Sequence, residues 1–215
     1  MSFCLIILAA GNSYRFKSKL PKPYQKIGGK SLIEINVEKA RDIKQIKKII
    51  IVFNSKDKKH LKKLKFQNVL FLKGGNSREN STYKALKQII KMPKIKNVLI
   101  HDAARPNFSK KLLQKIIKNM KNNRAVIPKI KINDAVKQIF DNNIYEYIIG
   151  KNRDDLFLTQ TPQCFNAKEI FNLHKKSGKK YHDDDISLYE DLNRVKFIDG
   201  EKNNFKITPI EDLEI

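Results

Sequence analysis

Short apolar runs rich in β-branched residues recur along the chain, separated by longer amphipathic segments, and this rhythm restricts the fold more than any other feature. Phe3–Leu8, Ile49–Phe53, Val69–Leu72, Asn97–Ile100 and Ala125–Pro128 read as strands. Their apolar character is near-continuous where it is strongest, as expected of strands buried on both faces. Between them Leu32–Ala40 (with Ser31 as its cap), Lys58–Leu64, Ser77–Ile90 and Lys110–Met120 read as helices. Strands separated by helices form βαβ units and hence a parallel sheet covered on both sides. The expected architecture is a three-layer α/β/α sandwich, with residues 1–215 as a single domain. From Lys129 to Thr159 the rhythm changes to scattered apolar residues around a turn at Asp141-Asn142-Asn143. This 129–159 segment reads as a protruding β-arm, either a flap over a site or a contact between subunits. A helix at Ala167–His174, another at Asp185–Leu192 and a strand at Val195–Ile198 are expected to follow.

A chain of 215 residues is long enough to bury one substantial core. Its longest apolar runs are far too short to cross a bilayer. Phe3–Leu8 lacks the basic lead-in of a signal peptide and reads as a first strand, so a cytoplasmic protein is expected. Cys4 and Cys164 stand far apart and read as reduced, inert thiols. The formal charge of +23 invites a nucleic-acid reading. However, the lysines are spread over helices, turns and loops, with no arginine-rich, aromatic-interleaved stripe. Such a surface suits a small anionic substrate. A non-catalytic nucleic-acid-binding protein is the competing class, and it gives no reason for the ordered motifs that follow.

The first motif is LAAGNSYRF at Leu8–Phe16, followed by Leu20-Pro21-Lys22-Pro23-Tyr24. A strand ending in Ala9, Ala10 and Gly11 lets backbone approach a ligand closely. Arg15 and Lys22 then supply two cations beyond the strand's carboxyl end, where ligands bind in open α/β sheets. Nucleotidyl transfer places charge on the α-phosphate and on the leaving pyrophosphate, so it needs positioned cations and a divalent metal. The loop is neither GxxxxGK[ST] nor GxGxxG, which argues against an ATPase or a dehydrogenase. The histidines His101, His174 and His182 and the run Asp183-Asp184-Asp185 show no metal-ligand spacing. The acid run reads as the cap of the late helix.

The segment LAAGNSYRFKSKLPKPY resembles the signature of nucleotidyltransferases with a Rossmann-like fold. More narrowly, it is similar to the 2-C-methyl-D-erythritol 4-phosphate cytidylyltransferases. Further motifs carry the same resemblance: GGNSRENS at 74–81, HDAARP at 101–106, TQTPQ at 159–163 and NFKIT at 204–208. The resemblance implies an enzyme that joins a polyol phosphate to CMP from CTP, releasing pyrophosphate, in non-mevalonate isoprenoid precursor synthesis. It implies that Arg15 and Lys22 are catalytic. Ala9, Ala10, Gly11, Gly75, Asn76, Ser81, Asp102 and Ala103 would bind the nucleotide, with Gly75, Asn76 and Ser81 at the cytosine and Arg78 ordering their loop. Arg105, Arg153, Lys206 and Thr161 would hold the acceptor. Magnesium, carried mainly by the CTP phosphates, would be met by Asp102. The arm would make a homodimer with composite sites. In some members this domain is fused to a later enzyme of the pathway, and the chain ends just after the family's C-terminal motif.

Three positions depart from the family pattern. Asn76 stands where Asp is usual, yet keeps a carbonyl acceptor for cytosine. Ala135, in Asp134-Ala135-Val136-Lys137, lacks a threonine hydroxyl. The family's Thr-Asp pair before the late helix falls on His182 or Asp183. An acceptor such as ribitol 5-phosphate is the alternative that these losses raise.

Overall fold

The computed structural model describes residues 1–12, 16, 18–62, 64, 66–140, 143–145, 152–178 and 181–213, with 140, 143–145 and 153 described by backbone alone. The strands are β1 (Phe3–Ala9), β2 (Lys26–Ile27), β3 (Lys30–Ser31), β4 (Ile46–Phe53), β5 (Val69–Lys73), β6 (Asn97–Asp102), β7 (Ala125–Lys131), β8 (Gln138–Phe140), β9 (Asn143–Tyr145), β10 (Phe157–Thr159), β11 (Gln163–Asn166) and β12 (Val195–Asp199). The helices are α1 (Leu32–Arg41), α2 (Lys58–Leu61), α3 (Arg78–Ile89), α4 (Lys110–Asn119) and α5 (Ala167–Ser177).

One sheet runs β10-β7-β11-β6-β1-β4-β5, with β12 also pairing β7. Pairings β1–β4, β1–β6, β4–β5 and β7–β12 are parallel; β10 and β11 are antiparallel to their neighbours. The fold is therefore the expected three-layer sandwich on a mostly parallel sheet. The period-2 alternation of side chains divides each strand between two cores. Leu5, Ile7, Ile49, Ile51 and Leu99 face one way, against Val37 and Ala40 of α1 and Leu112, Leu113 and Ile116 of α4. Cys4, Ile6, Ile50, Val52 and Ile100 face the other, against Ala85, Leu86 and Ile89 of α3 and Ile170 of α5. Each fully buried Ile, Leu or Val among them contributes about 1.5–3 kcal/mol. Both cysteines are buried and unpaired.

Local chemistry sets the helix starts. Ser31 Oγ accepts from Glu34 N, and Glu34 Oε2 accepts from Ser31 N, a reciprocal capping box at α1. Ser77 caps α3, Ser109 caps α4 and Asn166 caps α5. The expected helix at Asp185–Leu192 is absent; a single 3-10 turn, Ile186–Leu188, stands there. Asp185 does not cap it, because both carboxylate oxygens are engaged elsewhere, by Arg78 and His174. Asp184 instead accepts from the Ser187 amide and hydroxyl, and Asp191 turns the chain by accepting from Asn193 N.

Residues 129–131 and 157–159 pair with each other in the main sheet, so the described residues that leave it lie within 132–156. Within that span β8 and β9 form an antiparallel hairpin, Ile139 opposite Ile144. The turn residues 141 and 142 lie outside the described residues.

Candidate active site

The order β6-β1-β4-β5 places the reversal of strand order between β1 and β6, and ligands bind beyond the carboxyl ends of strands at such a point. A cavity of about 750 Å³ opens there. Its walls are the residues that leave four parallel strands: Ala10–Asn12 after β1, Asn54–Lys56 after β4, Gly74–Arg78 after β5, and Asp102 and Ala104 at the end of β6. Lys22 and Lys206 come in from outside the sheet. Among the described residues lining the cavity, five cations (Lys22, Lys56, Lys73, Arg78 and Lys206) face one carboxylate, Asp102. A concave surface with that imbalance concentrates polyanions.

Close backbone approach shapes the wall after β5. A Cβ on Gly74 would lie 2.5 Å from Ala10 Cβ and 3.0 Å from Ser81 Oγ, and a Cβ on Gly75 would overlap the Asn80 side chain. Ser81 Oγ accepts from Gly75 N (3.0 Å) and donates to Ser77 O (2.8 Å), and Lys84 Nζ donates to Gly74 O (3.0 Å). The start of α3 thus clamps the 74–77 loop.

Asp102 is the electrostatic centre. Its Oδ2 lies 2.7 Å from Lys206 Nζ and its Oδ1 3.6 Å from Arg78 Nε. Burial pushes its carboxyl up, but Arg78 and Lys206 outweigh this and hold it well below the usual carboxylate range. Its backbone N–H donates to Thr161 Oγ1 (3.1 Å). That hydroxyl is 3.0 Å from His101 Nδ1 and donates to it, because the opposite nitrogen, Nε2, faces two oxygen acceptors and must carry the imidazole proton. From Nε2 it reaches Asn36 Oδ1 and Arg105 O, both at 3.0 Å. Burial pushes His101 down to about 4, so it is a neutral prop for the turn that follows β6.

The C-terminal segment is fastened to this turn. Ile207 N donates to Ala104 O, and Arg105 Nη1 to Asn204 O. The buried Gln160 amide donates to Glu201 O and Asn204 O and accepts from Glu201 N. These bonds bring Lys206 to Asp102. On the far side Lys22 Nζ donates to Ile207 O and Thr208 O, both at 2.9 Å.

The family described as IspD, 2-C-methyl-D-erythritol 4-phosphate cytidylyltransferase, matches residues 3–215. The chain belongs to this family. A bifunctional enzyme IspD/IspF of Pelagibacter ubique is 42% identical over 214 residues, covering 100% of this chain and 56% of that protein. The chain thus spans just over half the length of that relative. A 2-C-methyl-D-erythritol 4-phosphate cytidylyltransferase of Thermosipho melanesiensis is 35% identical, covering 97% of this chain and 93% of that one. Among solved structures, a 4-diphosphocytidyl-2C-methyl-D-erythritol synthase of Anaerococcus prevotii superposes with a TM-score of 0.82 at 34% identity, covering 99% and 93% of the two chains.

Within this cytidylyltransferase framework the sequence-predicted residues fall as follows. Ala10, Gly11, Lys22, Gly75, Asn76, Ser81, Asp102 and Lys206 all line the one cavity. Ala9 and Ala103 are buried at the strand ends behind it. Thr161 is also buried, and it serves His101 and Asp102 rather than lining the cavity. Arg105 is half-buried, and its Nε has no hydrogen-bond partner among the described residues. Arg15 and the side chain of Arg153 lie outside the described residues. Sequence reasoning missed Lys56 and Lys73, whose signal was their position directly after β4 and at the end of β5. It also missed the buried contacts of Asp185, which no spacing announces.

Proposed function

We propose that the chain transfers CMP from CTP to 2-C-methyl-D-erythritol 4-phosphate and releases pyrophosphate. The observation that carries this reading is the cavity at the carboxyl edge of β1, β4, β5 and β6, lined among the described residues by five cations and one carboxylate. The acceptor phosphate attacks the α-phosphorus of CTP in line. One P–O bond forms while the bond to the β-phosphate breaks, and pyrophosphate leaves with the bonding pair. Negative charge grows on the α-phosphate oxygens and the leaving group, and Lys22 with Arg15 neutralises it. Asn76 and the Gly74–Gly75 backbone meet the cytosine. Lys206, Arg105 and Arg153 hold the acceptor phosphate, and Ala9 to Gly11 and Ala103 let the nucleotide lie against backbone.

Asp102 suits magnesium. It is a hard oxygen donor, held ionised, and the only carboxylate among the described residues lining the cavity. Magnesium keeps few protein ligands and takes the rest from phosphate and water. When bound it supplies charge neutralisation at the phosphates. Among the described residues no group of three or more His, Cys, Asp or Glu is placed to hold a metal unaided.

The proposal includes a homodimer formed through the arm. Ile139 is 75% exposed and Leu158 53% exposed, and apolar side chains so placed favour a covering partner. It also includes a cytoplasmic setting, supported by two buried, unpaired thiols. No described helix is long and apolar enough to cross a membrane.

Ala135 favours a second acceptor, since it offers no hydroxyl. Side-by-side kcat/KM values for 2-C-methyl-D-erythritol 4-phosphate and ribitol 5-phosphate, with CTP saturating, test the choice. A preference of at least about tenfold for the former supports the proposal, and the opposite preference reassigns the acceptor.

A further inference from the structure

Behind the cavity wall lies a buried carboxylate that the transfer reaction does not use. Asp185 sits in the loop before the 3-10 turn, with its side chain 1% exposed. Its Oδ2 accepts from Arg78 Nη2 at 2.8 Å and its Oδ1 from His174 Nε2 at 2.9 Å. His174 belongs to the last turns of α5 and is buried. Arg78 opens α3 and lines the cavity, where its Nε lies 3.6 Å from Asp102 Oδ1. One guanidinium therefore spans two carboxylates, one in the cavity and one behind it.

We propose that Asp185, oriented by His174, is a positioning residue that holds the Arg78 guanidinium at the nucleotide-binding wall and keeps it from collapsing onto Asp102. This rests on the cytidylyltransferase reading and deepens it. A guanidinium bound to one carboxylate alone swings toward that partner. With Asp185 in place, a charge-assisted bond from behind anchors Nη2. The 3.6 Å gap to Asp102 is then preserved, and the carboxylate is left to Lys206 and the ligand. His174 completes the arrangement by occupying the second oxygen of Asp185, so that the buried carboxylate has one orientation. Arg78 and Lys206 supply the positive charge that a buried Asp102–Asp185 pair requires.

Asp185→Asn is the direct test, since it keeps shape and removes charge. The expected result is a rise of about 10- to 100-fold in KM for CTP with kcat within about threefold of the unaltered chain. A merely structural defect lowers the active fraction, and so kcat, while KM stays put. His174→Gln retains an amide donor near the Nε2 position and is expected to keep KM within about twofold, whereas His174→Leu raises it several-fold. If Asp185→Asn does not fold, the two His174 variants decide, and equal KM values for them would overturn the proposal.

Nitrogen-15 NMR of arginine side chains, with Arg78→Lys to assign the signal, reads the contact without any turnover. Resolved Nη signals for Arg78 are expected in the unaltered chain, merging in Asp185→Asn. An unchanged Arg78 signal in that variant overturns the positioning role. Absence of CTP-dependent turnover by the unaltered chain would refute the activity reading alone.

Discussion

Lys206 Nζ lies 2.7 Å from Asp102 Oδ2, joining the end of β6 to a C-terminal segment more than a hundred residues later in the chain. The pair is placed by bonds that neither residue makes with its side chain: Ile207 N to Ala104 O, and Arg105 Nη1 to Asn204 O. Lys206→Ala removes one of the two cations that offset the buried Asp102 carboxylate, so some stability is lost. Its effect on the reaction is expected to be large. KM for the acceptor phosphate should rise by about 10-fold or more, and KM for CTP much less, in steady-state assays varying each substrate in turn.

Gln160 tests whether that placement depends on the buried amide. Its side chain, 2% exposed, satisfies three backbone groups of residues 201–204. Gln160→Leu leaves the Glu201 amide without its acceptor, while Glu201 O keeps Asn204 N and Asn204 O keeps Arg105 Nη1. Urea denaturation should show a loss of about 2–4 kcal/mol, and the folded fraction should show a raised acceptor KM resembling that of Lys206→Ala.

The site also predicts acid lability. His101 is neutral in the folded chain, pushed by burial down to about 4 from an ordinary 6.5. Between these values the unfolded chain binds the extra proton, so stability is full above about pH 6.5 and falls as pH drops toward 4. The loss from this residue is roughly 3 kcal/mol. Asp102 and Asp185, both held below the usual carboxylate range in the folded chain, add a further loss as pH falls below the unfolded carboxylate value. Melting temperature measured from pH 8 to pH 4 should fall most steeply below 6.5. His101→Gln should flatten that first part of the curve.

Much of this arrangement is written locally. The apolar runs of β1, β4 and β6 are continuous because both faces of the sheet are covered, so the layers follow from the pattern of Ile, Leu and Val alone. The cap at Ser31 and the clamped glycines at 74 and 75 also have local signatures. Asp185 does not cap the expected late helix because Arg78 and His174, partners 107 and 11 residues away, claim its carboxylate. Lys56 and Lys73 look like two more among many lysines until the sheet brings their strand ends together. Thr161 was expected at the acceptor, yet its hydroxyl is occupied by His101 and by the Asp102 amide, a contact set only the folded topology can specify.

Asn76 offers a separate check on base recognition. Asn76 is exposed and lines the cavity; the proposed function puts its carbonyl at the cytosine amino group, and a carboxylate there would make the bond charge-assisted. Asn76→Asp should lower KM for CTP by about two- to tenfold without helping UTP, which has no amino group at that position. Equal gains for both nucleotides would remove Asn76 from the base.

The central claim is tested most directly by pyrophosphate release from CTP and 2-C-methyl-D-erythritol 4-phosphate, comparing the unaltered chain with Lys22→Ala under saturating magnesium. The account predicts robust release by the unaltered chain and a fall in kcat of about 100- to 1,000-fold in the variant, with the variant still folded. Full turnover by Lys22→Ala, or no CTP-dependent release by the unaltered chain with any polyol phosphate, would contradict it.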